Sequence, residues 1–144
     1  MLSGLFAVAG RLMLALIFIL AGAQKLGNVA GTAAYMESAG LPGSLALPAA
    51  LFELIAGIAI ALGIFTRLAA LALAGFTLLA TLMFHNDVSD QIQAAMALKN
   101  IAIAGGLLCL VAYDQKRFSF DAYRERRRAE AARVPTDHPG VGAG

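Results

Sequence analysis

Four apolar runs, each close to 20 residues long, constrain the fold of this chain more than any other feature. They cover about residues 5–26, 45–65, 67–84 and 91–113. A helix needs roughly 20 apolar residues to cross a bilayer, and backbone in lipid must satisfy its hydrogen bonds within helices or closed barrels. The runs lack the polar–apolar alternation of barrel strands. The sequence therefore predicts an all-α integral membrane protein, a bundle of four transmembrane helices.

The charged residues divide the chain into a membrane domain, residues 1–113, and a basic tail, residues 114–144. Only 14% of the chain is charged, whereas soluble domains carry about 25%. Seven of the 11 basic residues follow Tyr113, namely Lys116, Arg117, Arg124, Arg126, Arg127, Arg128 and Arg133. We expect a basic helix over residues 117–133 on anionic membrane lipid, with residues 135–144 disordered. The tail is not expected to bind nucleic acid.

The positive-inside rule gives an orientation for the bundle. The arginine-rich tail belongs in the cytoplasm, and four spans then place the N-terminus there as well. Arg11 and Arg67 would anchor the inner ends of the first and third spans. The loops 27–44 and 85–90 contain no Lys or Arg, so they belong outside. Within the first loop, residues 32–39 could form a short interfacial helix.

A cleavable signal peptide is the alternative interpretation of the first run. Arg11, the apolar residues 12–20 and the small residues Ala21-Gly22-Ala23 resemble such a signal. The apolar residues 5–9 before the arginine, and Lys25 just after the small residues, favour a retained helix instead.

Three charged residues inside the apolar runs share one predicted depth. Lys25 lies 14 residues from Arg11, Glu53 lies 14 from Arg67, and Lys99 lies 14 from Tyr113. At about 1.5 Å of rise per residue, each lies roughly 21 Å from the inner interface, hence about 9 Å below the outer surface of a 30 Å core. Ionisable groups in lipid are costly and often mark a functional site.

The same layer is expected to hold further polar side chains, namely Gln24, Thr81 and Asn100, with His85 nearer the outer surface. Together they predict a polar pocket in the outer leaflet. Glu53 would be an acceptor or proton carrier with Lys99 as its ion partner, while Asn100 would orient a ligand. Lys25 would be a second cation for an anionic or carbonyl-bearing ligand. The structural alternative is an ion pair that only fixes the register of the helices.

Metal and thiol chemistry are not expected. His85 and Asp87 are too few for a zinc site, which takes three or four ligands. Cys109 has no second cysteine to pair with, and its apolar surroundings suggest a packing residue.

Several motifs resemble the DoxX family, and most closely its short YphA-type bacterial inner-membrane proteins. The motifs begin at Gly10 (GRL), Ala21 (AGAQKL), Gly40 (GLP), Phe52 (FELIAG, then LGIFTR), Phe84 (FH) and Leu98 (LKN, then GGLL). They span about residues 8–113. The resemblance implies a four-helix bundle in the bacterial inner membrane, with Lys25, Glu53, Arg67, Lys99 and Asn100 at motif positions. It also implies a link to thiosulfate:quinone oxidoreduction and redox-stress complexes.

These observations lead to three functional hypotheses. The first is a membrane subunit of a quinone-linked redox complex; the chain has no cofactor-binding motif, so electrons would come from a redox partner protein. Any enzyme activity would then be that of an oxidoreductase subunit. The second is a subunit of a small-solute transporter or exporter, assembled as a homo-oligomer because four helices enclose little volume. The third is a structural or assembly protein of the membrane without activity of its own.

Overall fold

The fold is taken from a computed structural model that describes residues 2–85, 87, 89–113 and 120–132, and within these ranges helices and short connections are present without strands. The helices are α1 Leu2–Gly27, α2 Val29–Ser38, α3 Ala46–Leu62, α4 Thr66–Phe84, α5 Gln91–Ala112 and α6 Phe120–Ala132, with a 3₁₀ turn at Gly43–Leu45. Four segments are long and apolar enough to cross a membrane, namely Gly4–Gly27, Gly43–Leu62, Thr66–Phe84 and Gln91–Ala112. The predicted all-α membrane protein with four spanning helices is confirmed.

Left-handed residues and polar caps mark several of the helix boundaries. Gly63 closes α3 with φ 73°, and Phe65 follows at φ 46° before α4 begins. Two left-handed residues in this short turn reverse the chain, and glycine adopts such a conformation without steric cost. Asn28 caps α2 through Gly31 N, and Asp90 caps α5 through the amides of Ile92 and Gln93.

The spans pack as two antiparallel pairs, α1 with α3 and α4 with α5. Helix α3 also packs against α4, whereas α1 and α5 touch at only a few positions, so the ring of four helices is weakest along that seam. Small residues make the first pair close: Gly22 lies against the backbone of α3, and Gly57 lies against Phe18 and Ile19 of α1. Such residues let helices approach where apolar burial gives little driving force in lipid.

The packed core lies in the half of the bundle that contains the α3–α4 turn. Its members include Ala15, Ile60, Leu73, Ala104 and Leu107, one or more from each spanning helix. Large apolar side chains on the outside, such as Leu16, Ile55, Leu79 and Leu98, are exposed. In a membrane these faces contact lipid, which explains why so many large apolar side chains are exposed. The other half of the bundle, beside α2, holds the buried polar residues Glu53, Thr77 and Thr81.

The tail helix α6 is described from Phe120 to Ala132, inside the basic helix expected over residues 117–133. The guanidinium of Arg127 lies 5.5 Å from the centre of the Tyr123 ring, a cation–π contact. The expected disorder of residues 135–144 falls outside the described residues. The orientation of the bundle, with both ends in the cytoplasm, stays a prediction.

Candidate functional site

An ion pair between α1 and α3 is the central polar feature of the bundle. Lys25 Nζ lies 2.6 Å from both Oε1 and Oε2 of Glu53. The Glu53 side chain is 5% exposed, while that of Lys25 is 32% exposed. Glu53 sits mid-helix in α3, and Lys25 reaches it from the last turn of α1. Charge-assisted hydrogen bonds of this length are strong, and both carboxylate oxygens are satisfied.

The expectation that Lys99 would be the ion partner of Glu53 is wrong, because Lys25 takes both carboxylate oxygens. The ammonium of Lys99 instead lies 3.4 Å from the sulfur of Met96 on its own helix, and its side chain is exposed. A thioether is a weak acceptor. Lys99 therefore keeps most of its donor capacity for some other acceptor.

A cavity of about 290 Å³ lies beside the ion pair, bounded by all four spanning helices and α2. Its polar wall includes Lys25, Glu53, Thr77, His85, Lys99 and Asn100. Its apolar wall includes Ile17, Phe18, Phe76, Phe84 and Ile103. Sites for small molecules in proteins are mostly apolar with a few polar groups, and their volumes begin near 300 Å³. The cavity has the composition of such a site and room for one small headgroup.

Helix α2 covers one side of the cavity with Thr32, Tyr35 and Met36. The Tyr35 ring stacks on Phe84 at 5.0 Å between centroids and 15° between planes. The next residue, Met36, is buried, so both side chains help to attach α2 to the bundle. The helix expected over residues 32–39 is present as Val29–Ser38 and is part of the cavity wall, while its place at the membrane interface stays a prediction.

Replacing Tyr35 by alanine should loosen α2 without unfolding the bundle. An aromatic pair contributes about 0.5–1.5 kcal/mol beyond the area it buries. Amide hydrogen exchange in α2 should therefore become roughly 2- to 10-fold faster, while exchange in α4 stays unchanged. Tyr35→Phe, which keeps the stacked ring, is the matched control. Equal protection of α2 in the alanine variant and the wild type would show that the stack does not hold the helix.

Two residues expected in the polar layer lie outside the cavity. Gln24 is exposed, one position before Lys25 and on a different face of α1. Thr81 is buried, and its hydroxyl donates to the carbonyl of Thr77 at 2.7 Å. The other expected members, namely Lys25, Glu53, His85, Lys99 and Asn100, all line it.

The sequence reasoning missed Thr77, which lines the cavity in the place expected for Thr81. Phe76 of α4 contacts Phe52 of α3 at 5.3 Å, so the residues that follow them, Thr77 and Glu53, lie at similar levels. A signal was available: Thr77 and Thr81 are four residues apart and share one face of α4. The sequence could therefore have predicted a polar face that extends along two turns of α4.

Histidine 85 and the loop after it form local hydrogen bonds. His85 Nδ1 lies 2.9 Å from Oε1 of Gln93, which links the end of α4 to the start of α5. The Asp87 carboxylate accepts from the hydroxyl and the backbone amide of Ser89, and these bonds lower the pKa of Asp87. Asp87 is fully exposed and turned toward its own loop, away from the cavity lining.

The two arginines expected to anchor the inner interface differ in burial. Arg67 is exposed in the first turn of α4. Arg11 is 4% exposed, although it lies in α1 well before the cavity. An arginine that anchors an interface lays its stem along apolar surface and keeps its charged head in water, whereas the Arg11 side chain is almost wholly buried. The anchoring role of both residues stays a prediction.

Comparison with known proteins identifies a family and relatives that cover more than half of the chain. The DoxX family model matches residues 6–86. The inner membrane protein YqjF of Escherichia coli (strain K12) is 38% identical over 114 residues, 79% of this chain and 88% of YqjF. The inner membrane protein YphA of the same organism is 33% identical over 118 residues, 77% of this chain and 84% of YphA. No solved structure matches. With four spanning helices and these relatives, the chain is a multi-pass inner-membrane protein and belongs to the DoxX family.

Proposed function

We propose that this protein is a membrane subunit of a quinone-linked redox complex and that its cavity holds the headgroup of the quinone. The cavity carries the proposal: an apolar, aromatic chamber of about 290 Å³ in the membrane half that contains Lys99, Asn100 and the Lys25–Glu53 pair. In the expected orientation this half lies in the outer leaflet.

The lining supports a flat, oxygen-bearing ligand. Phe18, Phe76 and Phe84 supply aromatic surface on which a ring can pack. Lys99 has only a thioether acceptor among the described residues, and the Asn100 amide beside it can also donate. These donors suit the carbonyl oxygens of a quinone.

The weak seam between α1 and α5 supports entry from the lipid. The contact between these helices includes Gly106 against Leu14, in the half that contains the core. On the α2 side of this contact, Ile17 and Ala21 of α1 line the cavity, as do Asn100 and Ile103 of α5. A quinone tail could lie along this seam while its headgroup occupies the cavity. A lipid-soluble ligand would then never need to cross the polar surface.

The chain would bind and position the quinone, and a partner would supply the electrons. Reduction of a quinone to a quinol takes up two electrons and two protons. We assign the electrons to a redox protein with its own cofactor and the protons to water at the membrane surface. The role of the chain in this scheme is to hold the ring within reach of that partner.

The test is to purify the protein from its native membrane in lipid nanodiscs and to quantify retained quinone by mass spectrometry. We expect near-stoichiometric quinone in the wild type and at least a 10-fold loss in Lys99→Met/Asn100→Leu, since a hydrogen bond from a charged group contributes about 1.5–3 kcal/mol. Gln24→Leu, a polar residue outside the cavity, is the matched control and should retain quinone. Wild-type protein that carries only ordinary membrane lipids would contradict the proposal.

One observation, the Lys25–Glu53 pair, favours the alternative hypothesis of a structural or assembly protein without activity of its own. This pair joins α1 to α3 and satisfies itself, so it could fix the helices without any ligand. Lys99 and Asn100 separate the two hypotheses because neither belongs to that pair. If they can be replaced without losing a bound ligand or a redox phenotype, the structural role stands alone.

A further inference from the structure

Thr77 is a buried polar residue whose hydroxyl is left unsatisfied. Thr77 is 6% exposed, and its Oγ1 atom has no hydrogen-bond partner within the described part of the chain. A threonine inside a helix usually donates to the carbonyl four residues earlier. Thr81, one turn later, makes that bond at 2.7 Å. The hydroxyl of Thr77 makes no equivalent bond to Leu73.

The position of Thr77 distinguishes it from other unsatisfied groups in the bundle. The hydroxyl of Thr66 also lacks a partner among the described residues, but Thr66 lies in the first turn of α4, outside the cavity. Thr77 lines the cavity at about the level of Glu53, because Phe76 and Phe52 are in contact. A buried hydroxyl without a partner costs free energy that an acceptor in the cavity would recover.

Thr77 and Lys99, two donors that line the cavity, lie at different depths. Thr77 is on the buried wall, formed by α4. Lys99 is on α5 and exposed, so it lies at the rim. Glu53 accepts from Lys25 through both of its oxygens, and Lys99 is instead beside the sulfur of Met96. A ligand that satisfies both donors therefore needs one acceptor oxygen deep in the cavity and another near the rim.

We propose that Thr77 is the donor that selects the ligand: it binds the inner carbonyl oxygen of a ring whose second carbonyl oxygen faces Lys99 and Asn100. This inference rests on the proposed quinone-binding function and narrows it to para-quinones, whose two carbonyl oxygens lie at opposite ends of the ring. A fatty acid carries both of its oxygens on one carbon and would leave one of the two donors unsatisfied.

The experiment uses two probes with the same methylated ring. One is tetramethyl-para-benzoquinone, and the other is 1,2,4,5-tetramethylbenzene, which lacks the two oxygens. Their apparent Kd values for the full chain in lipid nanodiscs follow from ligand-dependent shifts in thermal unfolding, with empty discs correcting for partition into lipid. The variant is Thr77→Val, which keeps the shape and removes the hydroxyl. Thr77→Ser keeps the hydroxyl, and Thr81→Val removes a hydroxyl that already has a partner on the same helix.

We expect the wild type to prefer the quinone over the hydrocarbon. Thr77→Val should weaken quinone binding about 3- to 10-fold, the effect of one buried hydrogen bond, and leave hydrocarbon binding unchanged. Thr77→Ser and Thr81→Val should bind the quinone within about 2-fold of the wild type. Without ligand, Thr77→Val should be at least as stable as the wild type, because it removes an unsatisfied group. A hydroxyl with a purely structural role would not show these opposite effects.

Two results would overturn the inference, and they differ in what else they reject. If the wild type prefers the quinone and Thr77→Val keeps that preference in full, Thr77 is not the selecting donor, while the quinone-binding function stands. If the wild type binds the quinone no better than the hydrocarbon, both the function and the role of Thr77 are rejected.

Discussion

Replacing Lys25 by methionine should lower the free energy of unfolding by about 3 kcal/mol, one of the largest effects of a single substitution in this chain. The change leaves Glu53, 5% exposed, without the donor that holds both of its oxygens. Removing one partner of a buried pair costs about 3–5 kcal/mol. The lower end applies because Lys25 is 32% exposed, so water and lipid headgroups already screen part of the interaction.

The double variant Lys25→Met/Glu53→Leu should recover most of that loss. Replacing both members of a buried pair by apolar residues of similar volume is often neutral, because the cost of desolvating two charges disappears with them. Stability is measured by steric trapping in bicelles, and the cycle of single and double variants gives the coupling energy. Lys99→Met is the matched control. It removes the same side chain from α5, where no carboxylate is bound, and should change stability by no more than about 0.5 kcal/mol.

Two outcomes would contradict the assigned pair. If Lys25→Met were neutral, the contact would contribute nothing to stability. If Lys99→Met were the more damaging substitution, Glu53 would be paired with α5 in the membrane. The cycle also separates stability from function: a stable double variant that no longer retains quinone would assign the charges to the ligand site as well as to packing.

The spanning helices could be predicted from the sequence, because the length and hydrophobicity of a run decide whether it crosses a bilayer. A similar level for Lys25, Glu53 and Lys99 could also be predicted, since it follows from the rise per residue. Lys25, Glu53 and Lys99 do line one cavity. The pairing of Glu53 could not be predicted. It depends on how each helix is rotated about its axis and on which neighbours it packs against, and counting residues along a run gives neither.

The same limit explains why Thr81 was expected in the cavity wall where the structure places Thr77. Counting from Arg67 treats the α3–α4 turn as if both helices started at one level, so it favoured Thr81. The contact between Phe52 and Phe76 sets the actual register of α3 against α4, and it brings Thr77 beside Glu53. The role of α2 was hidden for a different reason. Its helix could be predicted, but its placement over the cavity depends on the stack between Tyr35 and Phe84.

Gly22→Ala should separate α1 from α3 and lower the free energy of unfolding by about 3 kcal/mol or more, the upper range for overpacking. A Cβ at Gly22 would lie 2.7 Å from the backbone nitrogen of Leu54 and 2.8 Å from the carbonyl oxygen of Ala50. Backbone atoms cannot rotate away as a side chain can, so the helices themselves must move. Thermal unfolding in nanodiscs and the yield of inserted protein should both fall.

Gly10→Ala is the matched control because Gly10 is in the same helix, and a Cβ there would meet nothing within 4 Å. Its stability should be unchanged or higher by up to about 1 kcal/mol, the difference in helix propensity between glycine and alanine. Gly22 lies three residues before Lys25, and Ala50 lies three before Glu53, so separating the helices at Gly22 also draws the ion pair apart. Gly22→Ala should therefore lose bound quinone as well as stability. A Gly22→Ala protein as stable as Gly10→Ala would show that α1 and α3 are farther apart in the membrane than this packing requires.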